Sequence, residues 1–397
     1  MDHLDPDTFP VPAPPSGAGV DREALARLLG GRTGLGRSWT ASAAGAPASA
    51  ASGSAPAREH PGPGDSGAAD SGAGDSGAGI VVPPLYCPDA VRDDPALAEV
   101  VNERLVAWAD GIGIYRGRLE MLRSCGFGRL MMLAHPDCDD PDRLLAAAKC
   151  GLAEWSVDDH WVDEGDEADP ALVGLRNSLA HAVVDPVRMP ARYARSFEER
   201  VAAEPVLRAF RSSLEHLARF ASPTQVARLR HELAVMFVGY GVEAQWRMSG
   251  RRPPVWEYLM HRYENAFFPC MVLIDPVGGY ELPAHEFADQ RVRRTYLYAA
   301  VAAVLLNDLY SMGREDPADT NLPNLIARED GVGLQEGVNR AAAIHDELMR
   351  TVEAESAALA ALGSPLLGRY LSGMWAWLGG SKEWHATSPR YHSGPHA

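Results

Sequence analysis

The sequence predicts an all-α protein, with one helical domain over residues 81–397 behind a leader, residues 1–80, that has no core of its own. Three features predict it. Apolar side chains recur at a spacing of about 3.6 residues in one segment after another. Alternating apolar and polar runs joined by hairpin turns are essentially absent. The composition breaks once, at Ile80-Val81-Val82, and not again after it.

The leader comes first. Residues 41–79 contain no Val, Leu, Ile, Met, Phe, Tyr or Trp, so nothing there can offset the entropy of ordering the chain. Asp-Ser-Gly-Ala-Ala at 65–69 is followed by Asp-Ser-Gly-Ala-Gly at 70–74 and 75–79, a low-complexity linker with nothing to bury. Pro10, Pro12, Pro14 and Pro15 extend this character, with a short amphipathic turn at Asp21 to Leu29 between.

Helices follow in order. Asp94-Pro95 opens the first, with Leu97, Val100, Val101, Leu105 and Trp108 on one face. Asp140-Pro141 puts a proline in the first turn of the next, followed by Leu144, Leu145, Ala148, Leu152 and Trp155. Ser222-Pro223-Thr224 begins a third, through Leu229, Leu233, Met236, Phe237 and Tyr240. Arg291 to Glu315 and Val338 to Leu362 read as two more.

Composition limits the function classes. Lys and Arg total 37 against 53 Asp and Glu, a net charge of −16 that disfavours nucleic acid and anionic lipid as partners. The longest apolar run, Leu297 to Leu306, falls well short of the ~18 residues of a membrane span. The first residues show no basic or apolar signal region, so the expected location is the cytoplasm. Five cysteines without a Cys-x-x-Cys read as reduced thiols.

Two polar patches interrupt the apolar faces. The helix from Pro141 runs into Ser156-Val157-Asp158-Asp159-His160-Trp161-Val162-Asp163, where Asp158 and Asp159 continue the stripe that carries Trp155. Carboxylates crowded along a buried face repel one another and call for a cation, and oxygen donors alone select a hard one such as Mg2+. A solvated acidic helix end suits the following Glu164 to Asp169 better than it suits this pair. The second patch, Asn307-Asp308-Leu309-Tyr310-Ser311-Met312-Gly313-Arg314-Glu315, follows the Leu297–Leu306 run. Asn307, Ser311 and Glu315 recur every fourth residue, each step advancing about 400°, so an amide oxygen, a hydroxyl and a carboxylate share one slowly drifting row.

On these residues the chain resembles the class I terpene synthases. Asp158-Asp159-x-x-x-Asp163 matches the family's aspartate-rich motif, and Asn307-Asp308-x-x-Ser311-x-x-x-Glu315 its second metal motif. Arg390-Tyr391 matches a pair beyond the last helix, and Arg262 stands where bacterial members place a diphosphate-sensing arginine. Leu85-Tyr86-Cys87-Pro88, Met132 to Asp137, Arg230 to Tyr240 and Trp375 to Gly380 extend the resemblance to an actinobacterial branch of the family, over residues 85–392. The chain departs from the common pattern at Arg314, where many members have lysine, and at Asn265, where aspartate is usual, followed by Ala266.

The resemblance implies a Mg2+-dependent cyclase of an allylic diphosphate. Three Mg2+ ions would be held by Asp158, with Asp159 and Asp163 beside it, and by Asn307, Ser311 and Glu315. Arg262, Arg314, Arg390 and Tyr391 would donate to the diphosphate oxygens. The carbocation left behind would be shielded by aromatic faces, for which Trp155, Phe237, Tyr240, Phe267, Phe268, Tyr310, Trp375 and Trp377 are candidates, with Asn265 nearby. The branch implies 2-methylgeranyl diphosphate as substrate and a methylated bornane as product, an alcohol by water capture or an alkene by proton loss. It also favours a homodimer. Other histidines carry less: His160 is expected on the solvent side, and His345-Asp346 as surface polarity.

Two other readings compete. A prenyl chain-elongating transferase on the same fold would need a second aspartate-rich motif where Asn307 to Glu315 stands. A non-catalytic acidic scaffold would leave the Asn/Ser/Glu row and the inward carboxylates without a purpose.

Overall fold

The computed structural model describes residues 80–162, 169–312 and 320–392. The leader read as residues 1–80 lies outside the described residues except for Ile80, and Asp163, Arg314 and Glu315 also lie outside them. Among the described residues every regular element is a helix. The longer ones are α1 (Pro95–Ile112), α2 (Leu119–Cys125), α3 (Phe127–Ala134), α4 (Pro141–Val157), α5 (Pro170–Val184), α6 (Ala191–Ala203), α7 (Pro205–Leu217), α8 (Pro223–Ser249), α9 (Val255–His261), α10 (Gln290–Ser311), α11 (Leu322–Asp330), α12 (Leu334–Ala360) and α13 (Pro365–Thr387). One-turn helices lie at Phe268–Met271, Ile274–Val277, Ala284–Phe287 and Pro389–His392.

The helix starts follow from local chemistry. Asp94 accepts from the Leu97 amide at 3.1 Å and Asp140 from that of Asp142 at 2.8 Å, each satisfying an amide that the first turn leaves without a partner. Ser222 and Gln225 close a reciprocal capping box at the head of α8, at 3.2 and 2.9 Å. In all three, proline occupies the first helical position, where its missing N–H is no loss.

Helix α10 runs through the middle of the bundle, buried from Ala299 to Leu306 and packed on α12 and α13. On the other side α4 packs on α1 and α7, and α5 lies along α8. Helix α13 crosses α3 at backbone contact: a Cβ at Gly380 would sit 2.4 Å from the Leu133 carbonyl carbon, so no larger residue fits.

Residues 80–94 form a non-helical strap over α12 and α13. Gln335 both donates to and accepts from the Val81 backbone, at 2.8 and 2.9 Å. Asp346 accepts from the Tyr86 amide at 2.8 Å, and Lys382 reaches Asp89 at 3.0 Å. This corrects the reading of His345-Asp346 as surface polarity: His345 is 1% exposed, bonds Asp346 at 3.0 Å, and the pair fastens the strap. No helix among the described residues is long and apolar enough to cross a membrane.

Candidate active site

Helix α4 carries the first patch to its end and then changes winding. From Asp158 to Val162 the chain forms a π-helical turn instead of continuing the α-helix. Such wide turns cluster at functional sites because they re-aim side chains within an otherwise regular helix. Asp159 is thereby set between two donors: the Tyr115 hydroxyl donates to its Oδ2 at 2.6 Å, and Arg390 Nη2 to its Oδ1 at 3.4 Å. Asp158 and Asp159 are both half-buried. His160, expected on the solvent side, is half-buried as well, because the turn lays its ring 5.1 Å from that of Tyr115.

The second patch ends α10. Asn307 donates from Nδ2 to the Tyr391 hydroxyl at 3.0 Å and to His385 Nε2 at 3.1 Å. The direction at His385 follows from its other nitrogen, which lies 2.7 Å from the Ser381 carbonyl and must donate to it. Burial holds the His385 pKa down to about 4, so the ring is neutral and Nε2 accepts. With both amide hydrogens so used, the Asn307 carbonyl oxygen is turned away from this pair. Ser311, one turn on, is buried and lies in the same row.

Asp308 does different work. It is 1% exposed and accepts from Arg262 Nη2 at 2.5 Å, from the Tyr258 hydroxyl at 2.8 Å and from the Leu322 amide at 3.2 Å. Arg262 follows α9 directly, stacks 4.8 Å over the Tyr258 ring, and has a buried Nε that meets no acceptor among the described residues. Burial opposes its charge, but Asp308, Tyr258 and Glu243 hold its pKa above the ordinary guanidinium value. Glu243 of α8 gathers the same segment, accepting from His261 at 2.9 Å and from Asn265 at 2.8 Å. Burial works against the Glu243 carboxylate, and His261 and Arg262 outweigh it, lowering its pKa to about 2. The approach of this segment to α8 requires Gly239, where a Cβ would stand 3.1 Å from Asn265 Cβ.

The aromatic candidates divide. Trp155 packs 4.2 Å from Phe127 and lies 5.9 Å from the Arg390 guanidinium. Phe267 touches Trp377 at 5.6 Å and His385 at 6.1 Å, and Tyr310 lies 6.2 Å from His385, which ties these three to Asn307. Phe237 packs edge-on against Phe210, and Phe268 lies tilted against Tyr296, both in the core. Tyr240 is buried and Trp375 half-buried against the core. Sequence reasoning missed Tyr115, His385, Tyr258 and Glu243. Only the paired Gly113 and Gly117 around Tyr115 give a signal in the sequence.

One relationship joins the two patches. Arg390 reaches Asp159 and its neighbour Tyr391 reaches Asn307, so consecutive residues of the last turn connect the end of α4 to the end of α10. Residues 149–351 match the family model described as terpene synthase family 2, C-terminal metal binding. The 2-methylisoborneol synthase of Saccharopolyspora erythraea is 37% identical over 314 residues, 77% of this chain and 89% of that protein. The chain belongs to the class I terpene synthase family. A second terpene synthase, the 2-methylisoborneol synthase of Streptomyces griseus, is 36% identical over 79% of this chain and 73% of its own. Among solved terpene synthase structures, that of 2-methylisoborneol synthase from Streptomyces coelicolor in complex with Mg2+ and 2-fluoroneryl diphosphate superposes with a TM-score of 0.75. Its identity is 35%, and the match covers 79% of this chain and 98% of that one.

Proposed function

We propose that this terpene synthase is a Mg2+-dependent cyclase that converts 2-methylgeranyl diphosphate to 2-methylisoborneol and releases diphosphate. The observation that carries this reading is the 37% identity to the Saccharopolyspora erythraea enzyme of that name, over 89% of its length. The Streptomyces coelicolor enzyme, bound to Mg2+ and a fluorinated diphosphate, supports it.

The residues fit such a ligand. The donor set is all oxygen, as a hard cation requires: Asp158, Asp159 and Asp163 from the first motif, Asn307, Ser311 and Glu315 from the second. The Asn307 amide is already turned by Tyr391 and His385 so that its oxygen is the atom offered. The buried Arg262 Nε without an acceptor suits a diphosphate oxygen. Bound Mg2+, three ions in this reading, supplies positive charge that stabilises the departing diphosphate.

The chain's own residues do the rest. Arg262, Arg314, Arg390 and Tyr391 grip and orient the diphosphate and hold its charge as it leaves. Trp155, Phe267, Tyr310 and Trp377 exclude water and face the cation, each worth up to about 2 kcal/mol once desolvated. The substrate isomerises to its linalyl form, closes to a methylated terpinyl cation and then to a methylbornyl cation. Water capture gives the alcohol; proton loss gives 2-methylenebornane. Within this reading the enzyme acts in the cytoplasm, and the family resemblance favours a homodimer.

Purified protein with Mg2+ is incubated separately with 2-methylgeranyl, geranyl and farnesyl diphosphates, and the volatiles are read by gas chromatography–mass spectrometry. A dominant methylated bornane alcohol from the first substrate supports the reading. An alkene of the same skeleton moves the assignment to 2-methylenebornane, and a product mainly from another substrate overturns the named one.

A further inference from the structure

The loop between α1 and α2 is bent in an unusual way. Gly113, Tyr115 and Gly117 all have positive φ, at 90°, 57° and 77°. Glycine adopts such values freely, but Tyr115 is the one residue other than glycine that does so among the described residues. A bulky side chain there is strained, and strain of this kind persists where the surroundings over-determine it, most often at functional sites.

The conformation drives the Tyr115 ring inward until it is 1% exposed and delivers its hydroxyl 2.6 Å from Asp159 Oδ2. Two other buried polar aromatics, Tyr296 and Trp384, satisfy the backbone carbonyls of Phe268 and Cys125, while Tyr258 donates to the Asp308 carboxylate. Tyr115 likewise spends its hydrogen on a carboxylate, that of Asp159 in the aspartate-rich motif. An ionised carboxylate only accepts, so Tyr115 is the donor. The other oxygen of Asp159 faces Arg390, a longer contact at 3.4 Å. Asp159 itself stands in the π turn, where the regular helical ladder is widened.

Resting on the proposed function, in which Arg390 serves the diphosphate, we infer that Tyr115 is a positioning residue that holds Asp159 in place when Arg390 turns from it to the diphosphate. Arg390 cannot give the same hydrogens to both partners. Without a second donor, Asp159 would lose its orientation at the moment the substrate binds, and the adjacent Asp158 shares its turn. The strained loop is the structure's means of supplying that donor from outside the motif.

The test uses the full chain and isothermal titration calorimetry with inorganic pyrophosphate in MgCl2, with melting temperature measured in the absence of Mg2+. Tyr115→Phe keeps the ring, the packing and the backbone and removes only the hydroxyl. It is expected to weaken Mg2+-pyrophosphate binding roughly tenfold, in line with loss of a hydrogen bond to a charged group. The melting temperature without ligand should change little, a result that a merely structural tyrosine would not give. In an Asp159→Asn background the same substitution should add no further loss, since residues acting through one contact are not additive. Wild-type affinity in Tyr115→Phe, or a full additional loss in the double variant, overturns the inference alone. Wild-type affinity in both Asp159→Asn and Arg390→Ala overturns the site reading beneath it, and the inference with it.

Discussion

Asn307 and Asp308 are neighbours in the chain, about 100° apart around α10, and meet different partners: Asn307 bonds Tyr391 and His385, while Asp308 bonds Arg262 at 2.5 Å. The motif therefore serves two purposes. One residue turns its amide oxygen away from Tyr391 and His385, and the next anchors Arg262, to which the proposed function gives the diphosphate. Because Asp308 also holds Tyr258 and the Leu322 amide, it ties α9 and the start of α11 to the same point.

Asp308→Ala should therefore be costly to folding as well as to binding. It strands a guanidinium that is 12% exposed, and removing one partner of a buried pair costs about 3–5 kcal/mol. Urea denaturation should show the loss directly. Asp308→Asn, which can still accept from Tyr258, should lose less.

Glu315→Gln should behave in the opposite way. The proposed function counts it among the oxygen donors, and the substitution removes charge without removing bulk. Turnover should fall to background while the melting temperature without Mg2+ stays near that of the wild type. Retained activity in a Mg2+ titration would remove Glu315 from the donor set.

Gly239→Ala tests how closely the Arg262 segment must approach α8. The added Cβ would meet Asn265 Cβ at 3.1 Å and His261 Cε1 at 3.3 Å, so the segment must yield by a few tenths of an ångström. A misplacement of ~1 Å can cost about 100-fold in rate, so kcat/KM should fall several-fold here. Stability should change little, because alanine gains up to about 1 kcal/mol of helix propensity over glycine and so offsets the crowding. Steady-state kinetics and a melting curve separate the two effects.

Glu154 predicts a pH dependence. It is 6% exposed, its Oε2 faces the Cys270 thiol at 3.3 Å, and burial raises its pKa to about 8. The folded chain keeps a proton that the unfolded chain releases near 4.5, so this group makes stability fall as pH rises from about 4.5 to about 8, then level off. Glu154→Gln should remove that part of the slope. Urea midpoints of both proteins at pH 5 and pH 8 check it: the difference between them should favour the variant at the higher pH.

Much of this was legible in the residues. Asp94-Pro95, Asp140-Pro141 and Ser222-Pro223 mark helix starts because capping and proline geometry are local, and the bundle follows from apolar spacing. Asp158, Asn307 and Ser311 could be picked out because polar side chains interrupt a buried stripe. What the sequence hides is whatever depends on distant backbone. The link from Tyr115 to Asp159 spans 44 residues and exists only through three positive φ angles. His345 looks like surface polarity because nothing local shows that the strap at Tyr86 will lie across it. The division of labour between Asn307 and Asp308 needs the positions of Tyr391 and Arg262, each set by a different part of the chain.

The π turn at Asp158–Val162 also constrains how the chain can vary in length. A wide turn is a regular helix with a residue to spare. Deleting one residue between 158 and 162 would let the segment relax to ordinary winding, with α4 undisturbed and Asp159 turned off the Tyr115 hydroxyl. A chain shortened there should therefore keep its helix and lose the hold of Tyr115 on the motif.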